Sequence, residues 1–397
     1  MSLPSAENRF GAFRHSSYRR FFSARFFSAF AIQIVSVSVG WQMYEVTGNA
    51  FYLGLIGLFQ FLPSLLLILV TGTVADRHNR RRIMAVCLVV AAGCAAALLG
   101  LTLTHSFSPW PVFAILVVFG IERAFMGPAV QSLAPNLVPV EDLASILGPV
   151  AGGLLYGLGA SVAYIVAFML FIVSATLAVT IRKPEQRGPA KAISLETMLA
   201  GFKFISQEKI VLGAISLDLF AVLLGGAVAL MPIFAKEVLT LGPWGLGLLR
   251  AAPGIGAITV AVILAFRPIR HHAGLLMFIG VGLFGISTVV FGLSETAWVS
   301  IAALVVMGAS DMVSVYVRET LIALWTPDEV RGRVNAVNMV FVGASNELGE
   351  FRAGTMAHVV GAVPAVVIGG AGTLAVAVIW ALGFSKLRKI DNLDAPR

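Results

Sequence analysis

Two glutamates three residues apart, Glu347 and Glu350, lie in an apolar stretch and are followed by Arg352. On a helix that spacing puts both carboxyl groups on one face. Paired carboxyls can share protons, which suits a proton-coupling site; the same residues also fit an ion pair of Glu347 or Glu350 with Arg352 or Arg318. Arg25, Arg123, Asp218 and Asp311 are further charges inside apolar stretches. A charge at the centre of a bilayer costs on the order of 3 kcal/mol or more unless it is paired or hydrated, so each is a functional candidate. A third group is the run from Gly72 to Arg81, a Gly-x-x-x-Asp-Arg-x-x-Arg-Arg pattern between two apolar spans. Gly72 permits close helix approach, Asp76 can cap or pair at a helix end, and Arg77, Arg80 and Arg81 suit an anionic membrane surface. The corresponding Arg267-Pro268-Ile269-Arg270-His271-His272 keeps the basic character without the acid.

Other chemistries find no support. No nucleophile, base and orienter recur at useful spacing, so no catalytic residue is assigned and the chain reads as not an enzyme. The absence of a Gly-x-x-x-x-Gly-Lys-Ser/Thr run argues against an ATP-driven pump. His271-His272 has no further ligands near it in sequence and reads as a solvated loop, so neither a metal nor another cofactor is expected. Cys87 and Cys94, about 10 Å apart along one helix, read as core thiols, and Gly254-Ile255-Gly256 as helix packing.

The elements that hold these residues follow from composition. The chain has 397 residues, 58% hydrophobic and 12% charged, with a mean hydropathy of +0.91, whereas a soluble domain is about 25% charged. Lipid is therefore the solvent for most of it. Crossing the hydrocarbon as helix takes about 20 apolar residues, and twelve candidates occur at roughly 19–45, 51–75, 83–104, 111–134, 142–158, 160–181, 210–235, 244–266, 274–293, 297–317, 334–358 and 361–384. The expectation is an all-α membrane protein. The net charge of +8 reflects orientation rather than nucleic-acid binding. Apart from the five arginines in spans (Arg25, Arg123, Arg250, Arg318, Arg352), only Lys236 falls on the far side of this topology, which makes both termini cytoplasmic. The polar start and long first span predict an uncleaved signal.

Organisation into halves is expected: 1–181, a cytoplasmic linker 182–209, and 210–397. Leu195, Met198, Leu199, Phe202 and Ile205 follow helical spacing, so part of the linker should be an amphipathic surface helix. Leu53-Gly54-Leu55 repeats as Leu246-Gly247-Leu248 at an offset of 193, and Val117-Val118-Phe119-Gly120 as Val305-Val306-Met307-Gly308 at 188. In these registers Arg25 corresponds to Asp218 and Arg123 to Asp311, a cation in the first half against an anion in the second. The 188 offset holds to Pro139/Pro327. Beyond it Leu147-Gly148 matches Leu348-Gly349 at 201, so the first half is 13 residues shorter here. The fifth helix must then start almost directly at Glu141 or Asp142, or span poorly, or the end of the fourth is drawn inward; divergence of the halves or a deletion that compromises transport would each account for this.

The Gly72–Arg81 run resembles the signature loop between helices 2 and 3 of the major facilitator superfamily. Together with Phe13-Arg14-His15, Tyr18-Arg19-Arg20-Phe21, Thr326-Pro327-Asp328-Glu329-Val330-Arg331-Gly332-Arg333 and Gly343-Ala344-Ser345-Asn346-Glu347-Leu348-Gly349-Glu350-Phe351, it makes the chain similar to the enterobactin-exporter-like branch of that superfamily across nearly its whole length. The resemblance implies twelve transmembrane helices in two pseudo-symmetric six-helix halves, and a loop that steadies one of two alternating states. Helices 1, 4, 7 and 10 line the cavity in such families, so Arg25–Asp218 and Arg123–Asp311 are candidate cytoplasmic gate pairs; the alternative is pairing within each half, such as Glu122 beside Arg123, or snorkelling. Gly148, Pro149, Gly152 and Gly153 in the fifth span look like the glycine and proline motif of exporters. Also implied are proton-driven export of siderophores or amphipathic drugs from a bacterial cytoplasm, a plasma-membrane location and a monomer. Trp41, Tyr44, Phe59, Phe220 and Tyr316 are candidate cavity aromatics. The rival expectation is a non-transporting membrane protein or assembly partner.

Overall fold

A computed structural model describes residues 16–131, 140–181 and 195–393. The start of the linker, residues 182–194, and the 132–139 stretch before the fifth span lie outside the described residues, as do Phe13, Arg14 and His15. Among the described residues every regular element is helical, as lipid demands of a chain that must satisfy its backbone hydrogen bonds internally. In chain order the helices are α1 Ser16–Thr47, α2 Ala50–Arg77, α3 Arg80–Leu103, α4 Pro109–Gln131, α5 Val140–Leu158, α6 Ala160–Thr180, α7 Leu195–Gln207, α8 Lys209–Gly225, α9 Gly242–Phe266, α10 Ala273–Leu293, α11 Ala297–Trp325, α12 Asp328–Val360, α13 Ala362–Gly383 and α14 Ser385–Arg388. Among the described residues ten apolar segments are long enough to cross a bilayer, α8 being counted with its irregular continuation to Val238. Two of the twelve expected crossings fall short of that standard. α12 is long but carries Glu347, Glu350 and Arg352, and α5 is apolar only over Ala144–Leu158.

α5 is described over Val140–Leu158. Its 19 residues reach about 28 Å at 1.5 Å per residue, close to a core of about 30 Å. Gly159, at φ 145°, turns the chain from α5 into α6 with a single residue, a conformation that favours glycine.

Contacts divide the described residues into two compact units, 16–38 with 62–181 and 39–61 with 195–393. The sequence counts 39–61 with the first half, whereas their contacts are with the C-terminal helices. In the first unit α3 lies along α6 and α4 over a core that includes Phe113, Leu116, Tyr164 and Phe171. Cys87 and Cys94 are buried free thiols. In the second unit α10 packs on α11 and α13, and α9 on α11, around Leu217, Met277, Phe278, Val317 and Leu321. α9 and α11 approach closely through Gly256 and Gly308: a Cβ on either would fall into the facing backbone, at Val305 and Pro253 respectively. This is the packing role expected for Gly256.

The amphipathic helix forms as α7. Ile205 enters a small core with Val211, Ile215, Ile322 and Val334, Gly201 lies against the backbone of Arg333, and Leu199 and Phe202 stay exposed. Leu66, Leu158, Phe266 and Trp298 are each more than two-thirds exposed, an arrangement that lipid accommodates and water opposes.

Candidate functional site

In the first unit the signature run forms the end of α2, a two-residue connection His78–Asn79, and the start of α3. Asn79 caps α3, its side chain accepting from the Arg81 N–H at 3.1 Å. The side chains of Asp76 and Arg77 lie outside the described residues, and so does the packing around Gly72. Arg81 donates to the Ile181 carbonyl at 2.7 Å and Arg20 to Thr180 at 2.8 Å. Two cations thus hold the carbonyls at the C-terminal end of α6, where the helix dipole favours positive charge.

The glycine motif of α5 packs on α1. A Cβ on Gly148 would lie 2.6 Å from Gln33 Cβ, and one on Gly152 3.1 Å from Ile34 Cα, so small residues set this approach. Pro149 sits inside a helix that continues through it, buried with Gly153. On α4 the buried Glu122 lies within electrostatic reach of Arg25 and Arg123, the same-half arrangement raised as the alternative for those cations.

In the second unit Asp218 on α8 is ion-paired with Arg318 on α11, and both are buried. Asp311, two turns before Arg318, lies within reach of both charges. Arg318 also meets Glu319 at 3.3 Å, and Asn338 on α12 donates to Glu319 at 3.1 Å. Asp218 is therefore engaged within its own unit.

The paired carboxylates of α12 converge on α2. A Cβ on Gly57 would lie 2.7 Å from Glu347 Oε2 and 3.1 Å from Glu350 Oε2. The charge of Arg250 on α9 reaches Glu350, and a Cβ on Gly40 of α1 would lie 3.4 Å from its guanidinium. Arg352, one of the two cations offered by the sequence as their partner, is turned onto the Leu223 and Leu224 carbonyls at 2.9 and 2.5 Å.

Of the candidate aromatics, Trp41 and Tyr44 are buried. The Tyr44 hydroxyl donates to Glu237, and Lys236 Nζ lies 5.4 Å from its ring centroid. Tyr44 lines a cavity of 610 Å³ with Asn49, Glu237 and His358 among others. Phe59 and Tyr316 are half-buried, and Phe220 is partly exposed with its ring 5.2 Å from Trp380.

The chain matches the transmembrane secretion effector family over residues 7–396. It belongs to that family, within the major facilitator superfamily. The enterobactin exporter EntS of Escherichia coli O139:H28 (strain E24377A / ETEC) is 25% identical to this secretion-effector chain over 411 aligned residues, covering 94% of it and 93% of the relative. Among solved structures, a bacterial homologue of the human lysosomal transporter Spinster, inward-facing and occupied, superposes with a TM-score of 0.72 at 14% identity, over 93% of this chain and 97% of the other. The nucleoside transporter NupG, as its D323A mutant, gives 0.70 at 14%, over 92% and 99%. Fold and relatives are those of transporters, not enzymes.

Glu237 is not among the candidates in the sequence, Arg250 has no role assigned there, and Arg352 figures only as an ion-pair partner offered to Glu347 or Glu350. The repeat register selected charges with a symmetric counterpart, while the signal that marks these two arginines is simply a cation inside an apolar span.

Proposed function

We propose that this secretion effector is a proton-coupled exporter of a siderophore-like or other amphipathic small molecule, working by alternating access in a bacterial plasma membrane with both termini cytoplasmic. The observation that carries the reading is the convergence of Glu347 and Glu350 on Gly57, with Arg250 in reach. Two carboxylates at one spot repel unless one holds a proton or a cation compensates, so proton occupancy changes the local charge balance. The enterobactin export named for the relatives supports the substrate class. Trp110, Trp244 and Trp298 support the orientation: they are exposed in the first turns of α4, α9 and α11, the helices that start outside in the proposed topology, and Trp is enriched at membrane interfaces.

The test uses inside-out vesicles with an imposed proton gradient and a catecholate siderophore or a cationic dye. The expected outcome is gradient-dependent accumulation that collapses with a protonophore, and that becomes gradient-insensitive in Glu347→Gln and Glu350→Gln. Accumulation that survives the protonophore, or none at all from folded wild-type protein, defeats the reading.

A further inference from the structure

The membrane segment that begins with α8 is broken. α8 ends at Gly225, residues 226–227 are non-helical, and a tight turn at Val228–Leu230 restarts the chain toward Val238. A helix end leaves carbonyls without intrahelical partners, and in hydrocarbon such groups must find donors within the protein. In this chain the donor is a cation. Arg352 on α12 gives Nε to the Leu223 carbonyl at 2.9 Å and a terminal nitrogen to Leu224 at 2.5 Å, while its other terminal nitrogen lies 3.5 Å from Met356 Sδ.

The surroundings are shaped around that head group. A Cβ on Gly369 of α13 would lie 3.1 Å from the guanidinium, so a larger residue there would crowd it. One turn on, the buried Thr373 donates to the Ala221 carbonyl at 2.9 Å. Gly226, at the break, packs on the Gly349 backbone, and Gly349 packs on Val222 and Leu223. Gly349 stands between Glu347 and Glu350, so the stretch of α12 that holds the carboxylates also grips the broken helix.

We infer that Arg352 is a tethered cation that stands where the C-terminal ends of broken membrane helices in other transporters coordinate a dissociable monovalent ion, and that it is a positioning residue tying the α8 break to the carboxylate pair. The second part rests on the export reading above; the first does not. A site built for a planar cation accepts the same cation from solution once the tether is cut.

The experiment takes the full chain in detergent with Arg352→Ala. Its melting temperature falls by roughly 5 °C, and guanidinium at about 20 mM, far below denaturing concentrations, recovers most of that loss by mass action. NaCl at equal ionic strength recovers less, and wild type does not respond. An alanine variant that melts with wild type, or guanidinium acting equally on both, overturns the inference. Should the alanine variant not fold, Arg352→Gln is read by the same criteria. Arg352→Ala vesicles carry the efflux readout: recovered melting with recovered, gradient-dependent efflux supports both parts. Recovered melting without efflux, where wild-type vesicles also fail, upholds the tethered cation and counts against the export reading alone.

Discussion

Gly57 is the residue on which two carboxylates meet, so adding one carbon to it tests the site directly. Its new Cβ would lie 2.7 Å from Glu347 Oε2, too close for either group to stay. Gly57→Ala is expected to slow gradient-driven efflux by about tenfold, equivalent to ~1.4 kcal/mol on the barrier. Gly93→Ala, where a Cβ meets nothing within 4 Å, leaves rate and melting temperature near wild type. A second expectation concerns Asp218 and Arg318. Removing one partner of a buried ion pair strands the other charge and costs about 3–5 kcal/mol. Arg318→Ala should therefore melt well below wild type, and adding Asp218→Asn should recover part of the loss, measured as a double-mutant cycle in detergent. Equal melting of the single and double variants would show that the pair is not coupled.

At the scale of elements, the chain secures helix ends with distant cations and carbonyls as well as local caps. Arg20 and Arg81 hold the end of α6, and the C-terminal tail holds the start of α10. The N–H groups of Ala273 and Gly274 donate to the Asp391 and Ile390 carbonyls at 3.1 and 2.9 Å, and that of His272 to the Asp391 carboxylate at 2.7 Å. His271 and His272 ring nitrogens approach the same carboxylate at 3.3 and 3.1 Å, so the histidine pair has a structural partner that the loop sequence did not show. The His272 N–H, then the His271 side chain, hold the Asp391 carboxyl below its ordinary range. A depressed carboxyl contributes stability above its unfolded value, about 3.9 for Asp, and loses it as pH falls through the folded value. The carboxylate's hold is thus present at neutral pH and is lost as pH falls below the ordinary carboxyl range. Asp391→Ala should release the tail at neutral pH, seen as several-fold faster trypsin cleavage after Lys386, Arg388 and Lys389 and faster amide exchange at 272–274. Unchanged cleavage and exchange would mean that the carboxylate does not hold the tail.

For the whole molecule, the proposed orientation predicts which loops face which side. Cysteines placed at Ser106 and Glu295 should react with a membrane-impermeant maleimide in intact cells, and those at His78 and His271 only in inverted vesicles. The native Cys87 and Cys94 are buried and give little background. Labelling of His271→Cys from outside would reverse the topology of the second half.

Composition and patterning determined the class of this protein by themselves. Apolar stretches of bilayer length with charges confined between them have one low-energy solution, a bundle of membrane helices, and the Gly72–Arg81 run carried the family likeness. The amphipathic character of α7 was also legible, because it depends on local spacing. Partner choice was not. Asp218 had several cations to choose from, and only the packing of α8 on α11 brings Arg318 to it. The helical face shared by Glu347 and Glu350 follows from their spacing, yet Gly57 as their meeting point, the turn of Arg352 toward the α8 break and the grouping of 39–61 with the C-terminal helices belong to the tertiary structure. A buried charge is paired by whichever neighbour the fold delivers, and helical spacing says which face a residue occupies but not what lies opposite.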